Sequence, residues 1–278
     1  MPQTIVITGA STGIGRATAL HLARSGFTVL AGVRRDEDAA SLREADSRIE
    51  PVMVDVTDAE QIAALAERVG VGPLAGLVNN AGIAVPGPLE GVPLAEFRRQ
   101  YEVNVFGLLA VTQALLDPLR AGRGRIVNVG SIGGRIDTPL IGPYSSSKAT
   151  VRSLSAILRR ELGPWGIHVA LLEPGALDTP IWRKGEEHAD ETLGALPERV
   201  RTLYARQLQA LRGLARRSAT HADPPEAAAA AIEHALTAER PRLVYTVGRE
   251  ARVQGALHAA LPPRAFDALL ARAMRGGS

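Results

Sequence analysis

Short apolar runs alternate along the chain with longer segments in which apolar residues recur at helical spacing. Each run is apolar enough to be buried on both faces of a parallel sheet. The runs predict strands at Thr4–Thr8, Thr28–Val33, Pro51–Val54, Gly76–Asn79, Arg125–Val129, His168–Glu173 and Arg242–Val247. The segments between them predict helices at Ile14–Arg24, Ala39–Ala45, Ala59–Val69, Leu94–Leu119, Ser145–Leu162 and Pro225–Leu236. This order predicts an α/β fold with one doubly wound parallel sheet of about seven strands flanked by helices.

Two stretches depart from the alternation. Residues 176–222 are charged and helix-prone, and we predict a substrate lid there because long excursions at the carboxyl end of a strand often cover a binding site. A surface helical hairpin is the alternative. Residues 249–278 predict a C-terminal helical extension with an apolar face that packs on its own subunit, a neighbouring subunit or a membrane surface. We predict one domain over residues 1–278.

The composition narrows the classes of protein. The 32 Lys and Arg residues are spread among 29 acidic residues, which argues against a dedicated nucleic-acid surface. The chain has no cysteine, so disulfides, thiol nucleophiles and Cys-containing metal sites are excluded, and we predict no metal site. No stretch is long and apolar enough to span a bilayer, and the N-terminus lacks a signal-peptide pattern. A cytoplasmic protein is the simplest expectation.

A glycine-rich turn joins the first predicted strand to the first helix. Gly9, Gly13 and Gly15 follow a G-x-x-x-G-x-G spacing in this turn. Glycines let the turn tighten and let the backbone approach a pyrophosphate, which the helix N-terminus then favours electrostatically. The sequence therefore predicts a dinucleotide-binding turn.

Two arginines follow the second predicted strand, where an acid commonly holds the adenosine ribose. Arg34 and Arg35 can instead engage a 2′-phosphate, so NADP(H) is the predicted cofactor and NAD(H) remains possible. Alternatively, both arginines are solvated and neutralised by residues 36–38, which are all acidic. Asp55 ends the third strand, where it can bind the adenine amino group or cap a helix, although Asp58 is the nearer cap.

Three polar side chains predict a proton-transfer site. Tyr144 and Lys148 are four residues apart and share a helix face, so the ammonium can reach the phenol and lower its pKa. Ser131 could hold a substrate oxygen beside that phenol. An ordinary solvated helix pair is the alternative. Asn104 lies within a long predicted helix, where its amide is either structural or holds a water that relays protons from Lys148.

Taken together, these residues resemble the short-chain dehydrogenase/reductase family. The match covers residues 3 to about 180 in six ordered motifs: the glycine turn, Asn79–Gly82, Asn104, Ser131, Tyr144 with Lys148, and Pro174-Gly175. The retinol and hydroxysteroid dehydrogenase branch is similar in Ala31–Arg35, in Ser131–Arg135 and in the Pro143 that precedes Tyr144.

The resemblance implies a Rossmann-like subunit, a nicotinamide cofactor and a catalytic tetrad. In that scheme Tyr144 exchanges the proton, Ser131 positions the substrate oxygen, Lys148 also contacts the nicotinamide ribose, and Asn104 supports the relay. A homodimer or homotetramer is also implied, assembled partly through the helices at Leu94–Leu119 and Ser145–Leu162. The cofactor contacts expected are Gly9, Ser11, Thr12, Gly13, Ile14, Gly15, Arg34, Arg35, Asp55, Val56, Asn80, Ala81, Gly82, Tyr144, Lys148, Pro174, Gly175 and Thr179.

The function predicted is hydride transfer between NADP(H) and a small-molecule alcohol or ketone. Apolar residues flank the catalytic positions, which suits a hydrophobic substrate, steroid-like or retinoid-like among them. Core packing beside the site is the alternative explanation for these residues. The predicted pocket residues are Ile132, Gly133, Leu140, Ile141, Pro143, Ile181 and Trp182. A dinucleotide-sensing regulatory protein and a reductase of small polar or acyl carbonyls are the competing functions.

Overall fold

One parallel sheet organises the chain. A computed structural model describes residues 3–178, 194, 196–220 and 222–275. Its strands lie in the order β3-β2-β1-β4-β5-β6-β7, and every pair of neighbours is parallel. The strands are β1 (Thr4–Ile7), β2 (Thr28–Val33), β3 (Ile49–Met53), β4 (Gly76–Asn79), β5 (Arg125–Val129), β6 (His168–Pro174) and β7 (Val244–Val247). The predicted seven-stranded doubly wound sheet is therefore confirmed.

Helices cover both faces of the sheet. On one face lie α1 (Gly13–Arg24), α2 (Asp36–Ala45) and α10 (Glu226–Thr237). On the other lie α3 (Ala59–Val69), α5 (Leu108–Ala114), α6 (Leu116–Gly122) and α8 (Gly142–Leu162). The remaining helical elements described are α4 (Leu94–Tyr101), a π-helical segment (Glu102–Gly107), α7 (Gly133–Ile136), a 3₁₀ turn (Gly163–Trp165), α9 (Glu198–Thr220), α11 (Arg249–Ala260) and α12 (Pro263–Arg275).

The strand side chains divide between two apolar cores because successive residues of a strand point to opposite faces. Ile5 and Ile7 of β1 join the core beneath α1 and α10, whereas Val6 joins the core beneath α3, α5 and α8. In β5 the same alternation places Val127 and Ile126 in different cores. This double burial explains why the strands read as continuous apolar runs rather than as alternating ones.

Most predicted boundaries agree with the structure to within three residues. Thr8, predicted as the end of β1, lies just beyond it, and β3 begins at Ile49 rather than Pro51. The acid predicted as the nearer cap does cap α3: the Asp58 carboxylate accepts hydrogen bonds from the backbone N–H groups of Glu60 and Gln61. An oxygen at this position satisfies donors that the first helical turn leaves free.

The prediction of one unbroken helix over Leu94–Leu119 is wrong. The segment is divided into α4, the π-helical turn, α5 and α6, with a break at Leu115. Pro118 explains the break, because it has no N–H to bond the carbonyl one turn earlier and is tolerated only in the first turn of a new helix. The π-helical turn contains Asn104, and Gly107 lets it pack closely on the segment after β3, since a Cβ there would lie 2.6 Å from Val56 Cγ2.

The strand order reverses between β1 and β4, which are neighbours although β2 and β3 lie between them in sequence. Chains leave the carboxyl ends of these two strands in opposite directions, so a crevice opens between them. The carboxyl ends of β5 and β6 border the same edge. The crevice is the place in this fold where a ligand is expected.

The central strands should carry much of the stability. Leu77 of β4 is fully buried, and its replacement by Ala should lower the free energy of unfolding by about 2–5 kcal/mol because a cavity remains. The same change at Leu243, which is 56% exposed, should cost less than about 0.5 kcal/mol. Urea unfolding of the two variants measures both values, and equal losses would contradict this description of the core.

Candidate functional site

The glycine turn lies at the carboxyl end of β1 and is tied to the end of β4. Gly9 and Gly13 have φ angles of 65° and 54°, in the left-handed region that glycine adopts without strain. Gly15 packs so closely that a Cβ there would lie 2.3 Å from the Gly9 carbonyl oxygen. The Asn80 side chain donates hydrogen bonds to the carbonyl oxygens of Thr8 and Gly9, at 3.0 and 2.8 Å.

The turn leaves the N-terminus of α1 available to an anion. Thr12 occupies the N-cap position without a capping hydrogen bond from its side chain, and the first turn of α1 contains no acidic residue. Free N–H groups and the helix dipole at such an end favour a phosphate. Ser11, Thr12, Gly13 and Ile14 are half-buried around it. The predicted pyrophosphate contacts are thus brought together at a site that fits an anion.

The two arginines after β2 are in different environments. Arg35 makes a bidentate pair with Asp38, at 2.9 and 3.0 Å, which bears out the neutralisation considered as the alternative for it. Arg34 is exposed and lies 3.4 Å from an oxygen of Asp55. Asp55 also accepts hydrogen bonds from the backbone N–H and the hydroxyl of Thr57. These bonds outweigh burial and hold the pKa of Asp55 below its ordinary value, although burial opposes them as the largest single influence.

The segment after β4 is shaped by two buried amides of the α4 and π-helical region. Asn104 accepts a hydrogen bond from Ile83 N–H at 2.9 Å and donates to the Ile83 carbonyl oxygen and to Ser147 Oγ, both at 3.1 Å. Gln100 donates to the same carbonyl and accepts from Val85 N–H, both at 2.7 Å. The Asn104 amide thus satisfies buried backbone groups, and the sequence analysis did not identify Gln100. Its position one helical turn before Asn104 was the available signal.

Tyr144 and Lys148 face the crevice from the first turns of α8 and are almost completely buried. The Lys148 ammonium donates to the Val129 carbonyl oxygen at 2.7 Å and lies 5.9 Å from the centroid of the Tyr144 ring. Gly82 borders the same space, because a Cβ built on it would lie 3.3 Å from Asn104 Oδ1 and 3.6 Å from Lys148 Nζ. The structure therefore brings Asn104, Tyr144 and Lys148 together around the end of β4.

The pKa of the Tyr144 phenol is raised, not lowered as expected from its lysine neighbour. Burial raises it, and a hydrogen bond with Ser131 opposes that effect. Burial also lowers the pKa of Lys148 to about 8. A low-dielectric site disfavours the charged form of both groups, which the helical spacing of Tyr144 and Lys148 could not reveal.

Ser131 completes the cluster from the end of β5. Its Oγ accepts a hydrogen bond from Gly133 N–H at 3.0 Å and interacts with the Tyr144 phenol. Gly134 brings α7 directly against α8, since a Cβ there would lie 2.5 Å from the carbonyl carbon of Lys148. Close contact of these two helices sets the distance between Ser131 and the Tyr144–Lys148 pair.

The predicted pocket residues are buried beside this cluster. Ile132, Gly133, Leu140, Ile141 and Pro143 are all buried. Ile132 belongs to a small core with Ile136, Ala251 and Phe266, which agrees with the core-packing alternative for this residue. Leu140 has a φ of 66° and its carbonyl accepts a hydrogen bond from Gly87 N–H at 2.6 Å. Thr179, Ile181 and Trp182 lie outside the described residues.

Four further predicted cofactor contacts have definite positions. Val56 is buried against Gly107, and Ala81 N–H donates to the Thr8 hydroxyl at 3.1 Å. The Pro174 carbonyl accepts a hydrogen bond from Ile132 N–H at 3.0 Å. Gly175 packs against α11. All four lie along the edge formed by the carboxyl ends of the strands.

Within residues 3–178, 196–220 and 222–275, no group of three or more His, Asp or Glu side chains is arranged to hold a metal ion. None of the helices described has the length and apolar character needed to cross a membrane.

The chain is similar to several known proteins. A profile of the family described as short chain dehydrogenase matches residues 3–190. Retinol dehydrogenase 5 of Mus musculus is 37% identical over 279 residues, covering 96% of this chain and 87% of the mouse protein. The NADPH-dependent 3-dehydrocapnine reductase of Ornithobacterium rhinotracheale is 34% identical and covers 94% of both chains. A short chain dehydrogenase from Burkholderia cenocepacia J2315, solved in complex with NADP, is 28% identical with a TM-score of 0.75 and 97% coverage of both chains.

The lowered pKa of Lys148 should make stability depend on pH. Between about pH 8 and 10.5 the unfolded chain holds this proton and the folded protein does not, so the free energy of unfolding rises with pH. The rise is of order 3 kcal/mol. In Lys148→Met that contribution disappears, and Tyr144 titrates in both proteins, so the difference between them isolates Lys148. Urea unfolding from pH 7.5 to 10.5 without nucleotide measures it, and a constant difference would contradict the shift.

Proposed function

The chain belongs to the short-chain dehydrogenase/reductase family and is an NAD(P)-dependent oxidoreductase, and from this we propose that it moves a hydride between NADP(H) and a hydrophobic alcohol or ketone. The observation that supports the chemistry is the convergence of Ser131, Tyr144 and Lys148 in a buried site beside the glycine turn. The nicotinamide supplies or accepts the hydride at its C4 position. The residues of the chain bind, orient and exchange the proton.

In the reduction direction, Tyr144 gives its phenolic proton to the substrate oxygen while the hydride reaches the carbonyl carbon, so a ketone becomes an alcohol. Oxidation reverses both transfers. Ser131 holds the same oxygen through its hydroxyl, which also contacts the phenol. The raised pKa of Tyr144 keeps the phenol protonated before reduction. Exclusion of water by burial protects this proton transfer.

Lys148 returns the proton to Tyr144 in this proposal and contacts the nicotinamide ribose. Its pKa of about 8 lets it lose and regain a proton near neutral pH. Asn104 lies across Gly82 from the Lys148 ammonium, and its Oδ1 keeps a second lone pair after accepting from Ile83 N–H. A water held there would connect Lys148 to solvent, which is the relay role proposed for Asn104.

NADP(H) is the proposed cofactor, with Arg34 as the residue that selects it. Arg34 is exposed beside the expected adenosine position and lies 3.4 Å from Asp55, whereas Arg35 is held by both oxygens of Asp38. An available guanidinium is suited to a 2′-phosphate. The reductase of O. rhinotracheale is named as NADPH-dependent, and the B. cenocepacia structure contains NADP, which supports the same choice.

The hydrophobic substrate is proposed from the apolar residues around Tyr144 and from the similarity to a retinol dehydrogenase. A lid role for residues 176–222 is supported by α9, which lies within that stretch. Val200 of α9 packs on Gly91, and the Tyr204 hydroxyl donates to Glu90 at 3.1 Å. The loop that carries Glu90 and Gly91 begins at Gly87, which is bonded to Leu140. These contacts support the proposal that α9 lies on the substrate side of the site.

Assembly into a homodimer or homotetramer through α4 and α8 also stays a proposal. Leu94 and Ile157 on these helices are exposed apolar side chains, and so is Phe106 in the π-helical turn. Exposed apolar residues on neighbouring elements are typical of a subunit interface. We retain one domain over residues 1–278, with the extension at 249–278, as part of the proposal.

Replacing Tyr144 with Phe should strongly reduce turnover and leave the cofactor site intact. Loss of a general acid should lower kcat by roughly 10²- to 10⁴-fold, because the phenol no longer supplies the proton. NADPH binding, followed by fluorescence, should stay within about twofold. Turnover near the wild-type rate would show that Tyr144 is not the proton donor.

Replacing Arg34 with Ala should weaken NADPH binding more than NADH binding. Loss of a charge-assisted contact to the 2′-phosphate should raise the Kd for NADPH about ten- to a hundredfold. Arg35→Ala is the matched control, because Asp38 already engages that guanidinium, and it should have a smaller effect. Equal losses for both nucleotides would exclude Arg34 as the selective residue.

A spectrophotometric screen tests the function as a whole. Purified protein is mixed with NADPH or NADH and a panel of ketones, aldehydes and steroids, and with NADP⁺ or NAD⁺ and the matching alcohols. Activity on lipophilic carbonyls with NADPH would support the proposal. Preference for small polar or acyl carbonyls would overturn the substrate class, and nucleotide binding without turnover of any compound would favour the regulatory alternative.

A further inference from the structure

A buried carboxylate lies behind the catalytic cluster and outside the mechanism described above. Glu173 is 1% exposed and occupies the end of β6, immediately before Pro174. Within the described ranges, neither of its carboxylate oxygens has a hydrogen-bond partner. Burial raises the pKa of Glu173, and two arginines oppose that effect. A buried carboxylate in this state is costly, so the positions of its charged neighbours are informative.

Those neighbours belong to the two helices that carry the catalytic residues. Arg135 Nη1 lies 3.8 Å from one carboxylate oxygen, and Arg152 Nε lies 3.5 Å from the other. Arg135 is in α7, four residues after Ser131. Arg152 is in α8, one helical turn after Lys148. Glu173 therefore stands between the helix that follows Ser131 and the helix that presents Tyr144 and Lys148.

The helices of the C-terminal extension, α11 and α12, pack against α7 and Arg135. Gly255 of α11 lies against Arg135, since a Cβ there would be 3.4 Å from Arg135 Nη1. Ala251 of α11 and Phe266 of α12 pack with Ile132 in a separate small core. The extension thus supports α7. This helix has only four residues, and its N-cap residue makes no capping hydrogen bond through its side chain.

We propose that Glu173, paired with Arg135 and Arg152, is a positioning residue that fixes Ser131 relative to Tyr144. The ion pairs hold α7 against α8, and the C-terminal helices support Arg135 from the other side. The hydrogen bond between Tyr144 and Ser131 opposes the rise that burial causes in the Tyr144 pKa. A displaced Ser131 would therefore let that pKa rise further and change proton transfer. This inference rests on the proposed function of Ser131 and Tyr144, and it assigns a role to the extension at 249–278.

The test is Glu173→Gln, which keeps the shape of the side chain and removes its charge. We expect kcat for the best carbonyl compound of the screen to fall about five- to tenfold, with the Kd for NADPH within twofold of wild type. The thermal midpoint should stay close to wild type, because replacing a buried carboxylate with a neutral isostere relieves its desolvation. Loss of activity without loss of stability separates positioning from a merely structural role.

The ionisation of Tyr144 gives a readout that needs no substrate. The chain has four tyrosines, so ¹³Cζ-tyrosine labelling gives four resonances in the NADP⁺-bound protein, and Tyr144→Phe identifies one of them. In Glu173→Gln the titration of Tyr144 should move to higher pH, as the contact with Ser131 weakens. Arg135→Gln should move it in the same direction, and the double variant should show less than the sum, because both changes break one contact.

Glu161→Gln is the control, since it removes the same charge from an exposed position of α8, and it should match wild type in every readout. An unchanged kcat and Tyr144 titration in Glu173→Gln would overturn the inference. A fall in activity that follows lost thermal stability, with the Tyr144 titration unchanged, would overturn it too. If Tyr144→Phe retains wild-type turnover, the proposed function itself fails; if Tyr144→Phe is inactive while Glu173→Gln behaves as wild type, only the role of Glu173 fails.

Discussion

The site depends on how β1 is joined to β4, the neighbouring strand that is distant in sequence. Their carboxyl ends are held together by side chains: Asn80 donates to two carbonyl oxygens of the glycine turn, and Thr8 accepts from the backbone of Asn80 and Ala81. Strand order reverses at this junction, so the crevice opens here. Both the N-terminus of α1 and the cluster of Ser131, Tyr144 and Lys148 border the crevice.

Burial then determines the chemistry that the cluster can perform. A tyrosine and a lysine near water would hold their ordinary pKa values, whereas in this site burial raises the pKa of Tyr144 and lowers that of Lys148 to about 8. Both shifts favour the neutral forms, and together they make the phenol hold its proton more tightly than the ammonium does, the reverse of their order in water. An approaching cofactor meets a site that already contains a protonated phenol and a lysine that can exchange protons.

Much of the fold follows from local pattern. Apolar runs such as those of β1 and β5 specify buried parallel strands. Asp58 specifies the start of α3, because its carboxylate accepts hydrogen bonds from N–H groups two and three residues later. The helix break at Leu115 could also be predicted from the sequence, because Pro118 follows it by three residues. The π-helical turn was not, since its stability depends on Gly107 fitting against Val56, a residue from another part of the chain.

The sequence by itself determined the sheet and the glycine turn, because strand burial and left-handed glycines act over a few neighbouring residues. The tetrad was implied by the family resemblance and stays a proposal. Only the tertiary structure decided the contacts, the exposure and the pKa values of the candidate functional side chains. It placed the Lys148 ammonium against the Val129 carbonyl and buried Glu173 between α7 and α8. It also left the Arg34 guanidinium exposed beside Asp55, whereas Asp38 binds that of Arg35. Desolvation and ion pairing between distant segments have no signature in local sequence, since both depend on which surfaces meet when the sheet and helices pack.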